Sequence, residues 1–195
     1  MKKLLYAVAL SSFFSTPIAL AENPNHLDYG VTRYESSNPG NLYQVKLGAG
    51  IAQSGKQNAS MPLVSFGKRY EVGDAAIEIS TSWGTHKSDS GFKTLFYNLP
   101  KITYIAFLNP NSSTSFYYGA GFSWGSIEQK APKYLPIEKS YFTGIFAEGT
   151  AGYELHRTTA IRTMVELSLS QPLVANSKRG PHPGPTGFLS LIFGF

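Results

Sequence analysis

A two-residue period runs through most of this chain, and it excludes more than any other feature. In the last ten residues Leu189, Leu191, Phe193 and Phe195 share one parity, while Thr186, Phe188, Ser190, Ile192 and Gly194 share the other. Successive side chains of a strand point to opposite faces, so such a segment has one apolar face and one smaller, mixed face. The same pattern recurs upstream. It is plainest over 115–124, where Phe116, Tyr118, Ala120, Phe122 and Trp124 alternate with Tyr117, Gly119, Gly121 and Ser123.

The alternation predicts strands beginning near residues 42, 61, 77, 92, 115, 141, 161 and 186. In the fourth, Leu95, Tyr97 and Leu99 have one parity and Ile102, Tyr104, Ala106 and Leu108 the other. One extra residue at Pro100-Lys101 restores a continuous apolar face, which predicts a bulge or kink there. The connections alternate in length. Polar segments 53–60, 85–91, 126–140 and 171–185 are expected as long loops. Between them stand short turns at Glu71–Asp74, Asn109–Ser113 and His156-Arg157.

Ahead of the strands, Lys2 and Lys3 precede a mostly apolar run over 4–14, and Ala19-Leu20-Ala21 fits a small-x-small cleavage site. Residues 1–21 therefore read as a secretory signal peptide. Residues 22–40, with two Asn-Pro pairs and no sustained period, read as a periplasmic lead-in to a barrel over 41–195. The apolar run is too short to span a bilayer as a helix, and no other stretch approaches the length a helix needs. If this protein lies in a membrane, it lies there as strands.

The polarity of the faces favours that location. The charged residues share a face with the glycines, and the bulky apolar residues hold the other; a soluble barrel reverses this. With 12 Tyr, 13 Phe and 19 Gly the composition suits aromatic girdles outside and small residues inside a narrow barrel. There are no cysteines, hence no disulfide framework. A net charge of +5, with no basic cluster, is no nucleic-acid signature.

Eight alternating segments, an even strand number and long loops against short turns resemble the small eight-stranded bacterial outer-membrane β-barrels. That group includes the OmpA transmembrane domain, OmpX and the lipid A enzymes PagP and PagL. The resemblance implies a closed, antiparallel, up-and-down barrel, exported and inserted as a monomer among outer-membrane lipid and lipopolysaccharide. In such barrels a C-terminal Phe is read by the insertion machinery, so Phe195, with Phe193 beside it, is the implied assembly signal. Changes at Phe195 are then expected to lower insertion more than changes at inward Phe188.

Six charged residues fall on the inward parity: Lys46, Arg69, Glu78, Glu148, Arg162 and Glu166. Isolated buried charges are costly, so mixed signs favour a paired network filling the lumen. An eight-stranded barrel is just wide enough for its own side chains. Arg69 and Glu78 are expected to face each other across the turn between them, and Arg162 to meet Glu148 or Glu166. Lys46 has no assigned partner and is within reach of either set. An ion path is the alternative use of the same charges.

No catalytic residue is assigned. A deacylase of the PagL kind brings a His, a Ser and a Glu together, but the spacing of His26, His86, His156 and His182 selects none, even with Ser88 or Ser177 as neighbours. His156 also lacks the following His-x-Ser pattern. No metal-ligand spacing or phosphate loop appears, and no cofactor is implied. Lys56, Lys87, Lys130, Lys133, Lys139, Lys178 and Arg179 are loop cations suited either to lipopolysaccharide phosphates or to solvent. The expected function is a structural, adhesive or surface-interaction role with a non-conducting lumen. A lipid A-modifying hydrolase or a small channel are the alternatives.

Overall fold

A computed structural model describes residues 41–54, 57–87, 91–130, 140–157, 159–178 and 183–195. The expected signal peptide and lead-in, residues 1–40, lie outside the described residues. The strands are β1 (Asn41–Ser54), β2 (Gln57–Val72), β3 (Ala75–Lys87), β4 (Lys93–Phe107), β5 (Ser115–Lys130), β6 (Ser140–Leu155), β7 (Arg162–Lys178) and β8 (Pro183–Gly194). Each pairs antiparallel with its sequence neighbours, and β8 pairs with β1, so the eight strands form a closed barrel. Closure leaves no edge strand with unpaired main chain. The last rung reaches the terminal residue, where Tyr43 and Phe195 exchange two backbone hydrogen bonds of 2.9 Å.

Parity sorts the side chains as the alternation requires. Tyr43, Leu47 and Ile51 on β1 are exposed, as are Leu189, Leu191, Phe193 and Phe195 in and just after β8. Gln44, Lys46, Phe188 and Ile192 are buried. From Tyr43 to Ile51 the outward residues rise at ~3.3 Å each along a tilted strand, giving an apolar belt about 20 Å tall. At the end carrying the β2–β3, β4–β5 and β6–β7 connections the belt is rich in tyrosine. There the Lys68 ammonium lies 5.0 Å from the Tyr43 ring and 4.8 Å from the Tyr70 ring.

The irregularity expected in the fourth strand is present. Ser80 pairs with Lys101 and Ser82 with Asn98, so Leu99 and Pro100 together oppose the single residue Thr81. The shift repeats against β5 between Asn98 and Lys101. This bulge returns both halves of β4 to one apolar outer face. A second irregularity, between Ile145 and Phe146 in the β6–β7 ladder, lies at Leu173 and has no counterpart in the alternation of the sixth strand.

The connections differ from expectation at the loop end. Segment 53–60 is mostly ladder, with Gln53 opposite Asn58 and Ser54 opposite Gln57. Likewise 85–87, 126–130, 171–178 and 183–185 belong to strands. Main-chain pairing does not depend on apolar side chains, so a strand that outruns the apolar belt keeps its hydrogen bonds while its outer face turns polar. Its inner face meanwhile turns apolar: Ala52, Ala59, Met61, Leu63, Phe96, Ile127 and Phe188 form one buried cluster at this end. The sixth connection is longer than the two residues expected, since β6 ends at Leu155 and β7 starts at Arg162, with His156 at φ 55°.

Close strand contact on the inner wall relies on glycine. A Cβ at Gly121 would collide with the Ile102 carbonyl, and one at Gly50 with the Gly187 carbonyl and the Phe188 side chain.

Candidate functional site

The polar interior is built upward from the β2–β3 hairpin. Its turn is Gly73-Asp74, with Gly73 at φ 60°, a conformation glycine adopts without steric cost. The ladder that starts at Val72 opposite Ala75 brings Arg69 opposite Glu78. Both are fully buried, and Arg69 Nη2 donates to Glu78 Oε2 at 3.1 Å. Gln44, from β1, spans the pair: oriented to satisfy both, its amide accepts from Arg69 Nε at 2.8 Å and donates to Glu78 Oε2 at 2.9 Å. The Arg69 guanidinium also lies 5.1 Å from the Tyr117 ring.

Lys46 lies between two carboxylates, with Nζ 2.5 Å from Glu78 Oε1 and 2.9 Å from Glu166 Oε1. Tyr117 donates its hydroxyl to Glu166 Oε2 at 3.0 Å. Arg69 extends the network the other way, 3.5 Å from Glu154 Oε2. Glu154 receives Arg162 at 3.1 Å and Arg157 at 3.3 Å, and both arginines also reach Glu71, at 2.7 Å and 3.5 Å. The Arg157 guanidinium stacks 3.5 Å from the Phe107 ring centroid. Burial holds Arg157 below its ordinary pKa, against the opposing pull of Glu71 and Glu154; an arginine stays charged regardless.

A smaller group sits beside the β4 bulge. Lys101 Nζ is 3.4 Å from Glu148 Oε2, and Glu148 also accepts from Ser170 at 2.6 Å, from Asn98 at 3.2 Å and from Ser123. Taken together, five cations (Lys46, Arg69, Lys101, Arg157, Arg162) meet five carboxylates (Glu71, Glu78, Glu148, Glu154, Glu166) among the described residues. The set is neutral. In a low-dielectric interior, balanced and hydrogen-bonded pairs avoid the several kcal/mol that each isolated ion costs.

All six charges expected inside are buried, but their pairing differs in part. Arg162 meets neither Glu148 nor Glu166; its partners are Glu71 and Glu154. Lys46 takes Glu78 and Glu166. Lys101 falls at the expected irregularity, where the alternation breaks, whereas Glu154 was readable by parity, since it lies on the inward face of a recognised strand. Glu71 and Arg157 were not, because both stand at turns, where alternation says nothing of direction. Nor is the lumen filled by charge alone. Besides the loop-end cluster, Leu42, Ala76, Ile105, Phe107, Tyr117, Met164 and Ile192 pack around the network at the turn end.

Neither described histidine joins a nucleophile and a carboxylate. His86 is half-buried near the end of β3, opposite Thr94, and His156 is exposed after β6. His26, His182 and Ser88 lie outside the described residues, as do Lys56, Lys133, Lys139 and Arg179, and the side chains of Ser177 and Lys178. Among the described residues no group of three or more His, Cys, Asp and Glu side chains is arranged to hold a metal ion.

No protein-family model matches the sequence, and neither does any curated protein. Solved structures do match. Neisserial surface protein A superposes with a TM-score of 0.61 at 15% identity, covering 80% of this chain and 96% of that one. Ail, the attachment invasion locus protein of Yersinia pestis, superposes at 0.53 with 11% identity, covering 81% and 100%. At these identities the likeness is one of fold. The chain has the architecture of the small eight-stranded outer-membrane β-barrels.

Proposed function

We propose that this chain is a bacterial outer-membrane β-barrel acting at the cell surface, in a structural, adhesive or interaction role, with a lumen that does not conduct ions. The observation carrying this reading is the pairing of opposite polarities on one wall. Outward, Leu47, Phe66, Ile79, Tyr104, Phe122 and Leu167 are exposed, as lipid contact requires. Inward, the neutral ion-pair set and two apolar clusters occupy the cross-section. Among the described residues, this combination of ion pairing and apolar packing supports a sealed lumen over an ion path. Export by the residue 1–21 signal, insertion as a monomer and residence among lipopolysaccharide complete the proposal.

The names of the two similar structures, one a surface protein and the other an attachment invasion locus protein, support a surface role of this general kind. The test is direct. The mature protein is expected in the outer-membrane fraction with heat-modifiable gel migration, and planar bilayers containing it are expected to show negligible conductance. Recovery as a soluble periplasmic protein would refute the location. Large, stable conductance would refute the sealed lumen and favour the channel.

A further inference from the structure

Above the apolar belt the outer wall becomes polar, and three neighbouring strands carry a cation at one level. Lys87 closes β3, Lys93 opens β4 and Lys130 closes β5. Lys93 stands directly opposite Lys87 in one ladder and directly opposite Lys130 in the next. All three are exposed. With strands ~4.8 Å apart, three ammonium groups are tethered to a single rung about 10 Å across.

Like charges directly opposite one another destabilise a sheet. Compensation within the protein is slight. Lys130 has Glu128 at 3.5 Å, and among the described residues Lys87 and Lys93 make no ion pair. Among the described residues one carboxylate, Glu128, faces three ammonium groups on this rung, and the excess positive charge points to an external anion.

Its height above the belt identifies the source. Four residues down β3 from Lys87 is exposed Trp83, and four down β4 from Lys93 is Tyr97, paired with Trp83. Amphipathic aromatic rings mark the level where hydrocarbon gives way to headgroups. Four residues at ~3.3 Å each, on a tilted strand, set the lysines roughly 10 Å further out, at the level of headgroup phosphates. A cleft of about 170 Å³ opens here, lined by Thr85, Lys93, Thr94, Leu95, Glu128 and Lys130. It brings the Leu95 side chain together with the Lys93 and Lys130 ammonium groups, the Glu128 carboxylate and the threonines.

We propose that the Lys87–Lys93–Lys130 rung binds the phosphate groups of an anionic glycolipid in the outer leaflet. The headgroup lies across the three strands, and an acyl chain runs down the Leu95 and Trp83 face. The proposal rests on the outer-membrane reading above and adds a defined lipid site to it.

The test uses the mature protein refolded in phosphatidylcholine nanodiscs and titrated with bis-phosphorylated lipid A, with dephosphorylated lipid A, or with inorganic phosphate. The readout is the midpoint of its heat-modifiable transition. Only the bis-phosphorylated lipid is expected to raise that midpoint. Substituting glutamine should weaken its apparent affinity roughly fivefold per lysine, on the order of a hundredfold for K87Q/K93Q/K130Q together. The K87R/K93R/K130R variant should retain the response. An equal response from the triple glutamine variant, from dephosphorylated lipid or from inorganic phosphate would overturn the site, as would no response from the wild type. Should the triple variant fail to fold, the three single glutamine variants carry the same comparison. Failure of the outer-membrane reading looks different: no heat-modifiable band forms in any lipid.

Discussion

Arg69 and Glu78 meet at 3.1 Å directly across the β2–β3 ladder, both fully buried, and every other ion pair of the larger network is reached through one of them. Glu78 passes the network to Lys46 and Glu166; Arg69 passes it to Glu154 and so to Arg157, Arg162 and Glu71. Removing Arg69 therefore leaves carboxylates short of charge on two sides.

We expect Arg69→Met to destabilise the folded barrel by about 3–5 kcal/mol, the range for breaking a buried pair by deleting one partner. Lys101→Met should cost clearly less, because Glu148 keeps hydrogen bonds from Asn98, Ser123 and Ser170. Urea titration of refolded protein, followed by the heat-modifiable gel shift, measures both. Equal costs would mean that the network has no centre at Arg69.

The inner wall makes a second, steric expectation. Gly121→Ala drives a methyl group into the Ile102 carbonyl, whereas a Cβ at Gly149 has nothing within 4 Å. Overpacking of a tight contact typically costs about 1–3 kcal/mol, and an open surface position less than about 0.5 kcal/mol. Equilibrium unfolding of the two alanine variants should separate them by that margin. Matched stabilities would show that the β4–β5 contact relaxes freely.

How much of this was legible in the sequence follows from how far each signal travels along the chain. The Glu71–Asp74 turn signal sets the register of one hairpin, and with it the Arg69–Glu78 pair, although the turn itself is two residues rather than four. One partner of Arg162, Glu71, comes from β2, across the lumen, and the other, Glu154, from neighbouring β6; parity gives a side chain's face but neither its height nor its position around the barrel. The loop-end segments depart from the alternation for a related reason. There the strands leave the apolar belt and reverse their polarity, Gln53 facing out and Met61 in, so the rule that bulky apolar residues mark the outer face no longer holds.

That reversal makes the loop-end cluster behave like the core of a soluble barrel. Phe96 is buried, its ring 5.3 Å from that of Phe188. Phe96→Ala should cost about 3–5 kcal/mol, as for other large core aromatics, while leaving the lipid-facing belt intact. Ile102→Ala, on that belt, should cost less, since lipid fills the vacated space. Denaturant midpoints of the two variants decide it, and a larger loss at Ile102 would place the stabilising apolar contacts outside rather than inside.

Phe195 offers the last expectation, because its side chain and its main chain do different things. The main chain closes the barrel through two hydrogen bonds with Tyr43, while the ring stands exposed on the outer face. Phe195→Ala keeps both hydrogen bonds, so purified protein refolded in detergent should lose under about 1 kcal/mol. Deleting the residue removes both bonds and should cost about 1–2 kcal/mol, each bond in a membrane protein contributing roughly 0.6–1 kcal/mol. If the insertion machinery reads the aromatic ring, both variants should nevertheless insert poorly in cells, by several-fold in the outer-membrane fraction. Phe188→Lys should show the opposite pattern, a large loss of stability in vitro from a charge driven into the loop-end cluster. Normal cellular insertion of Phe195→Ala would remove the assembly role from the ring and leave Phe195 as the closing rung of the sheet alone.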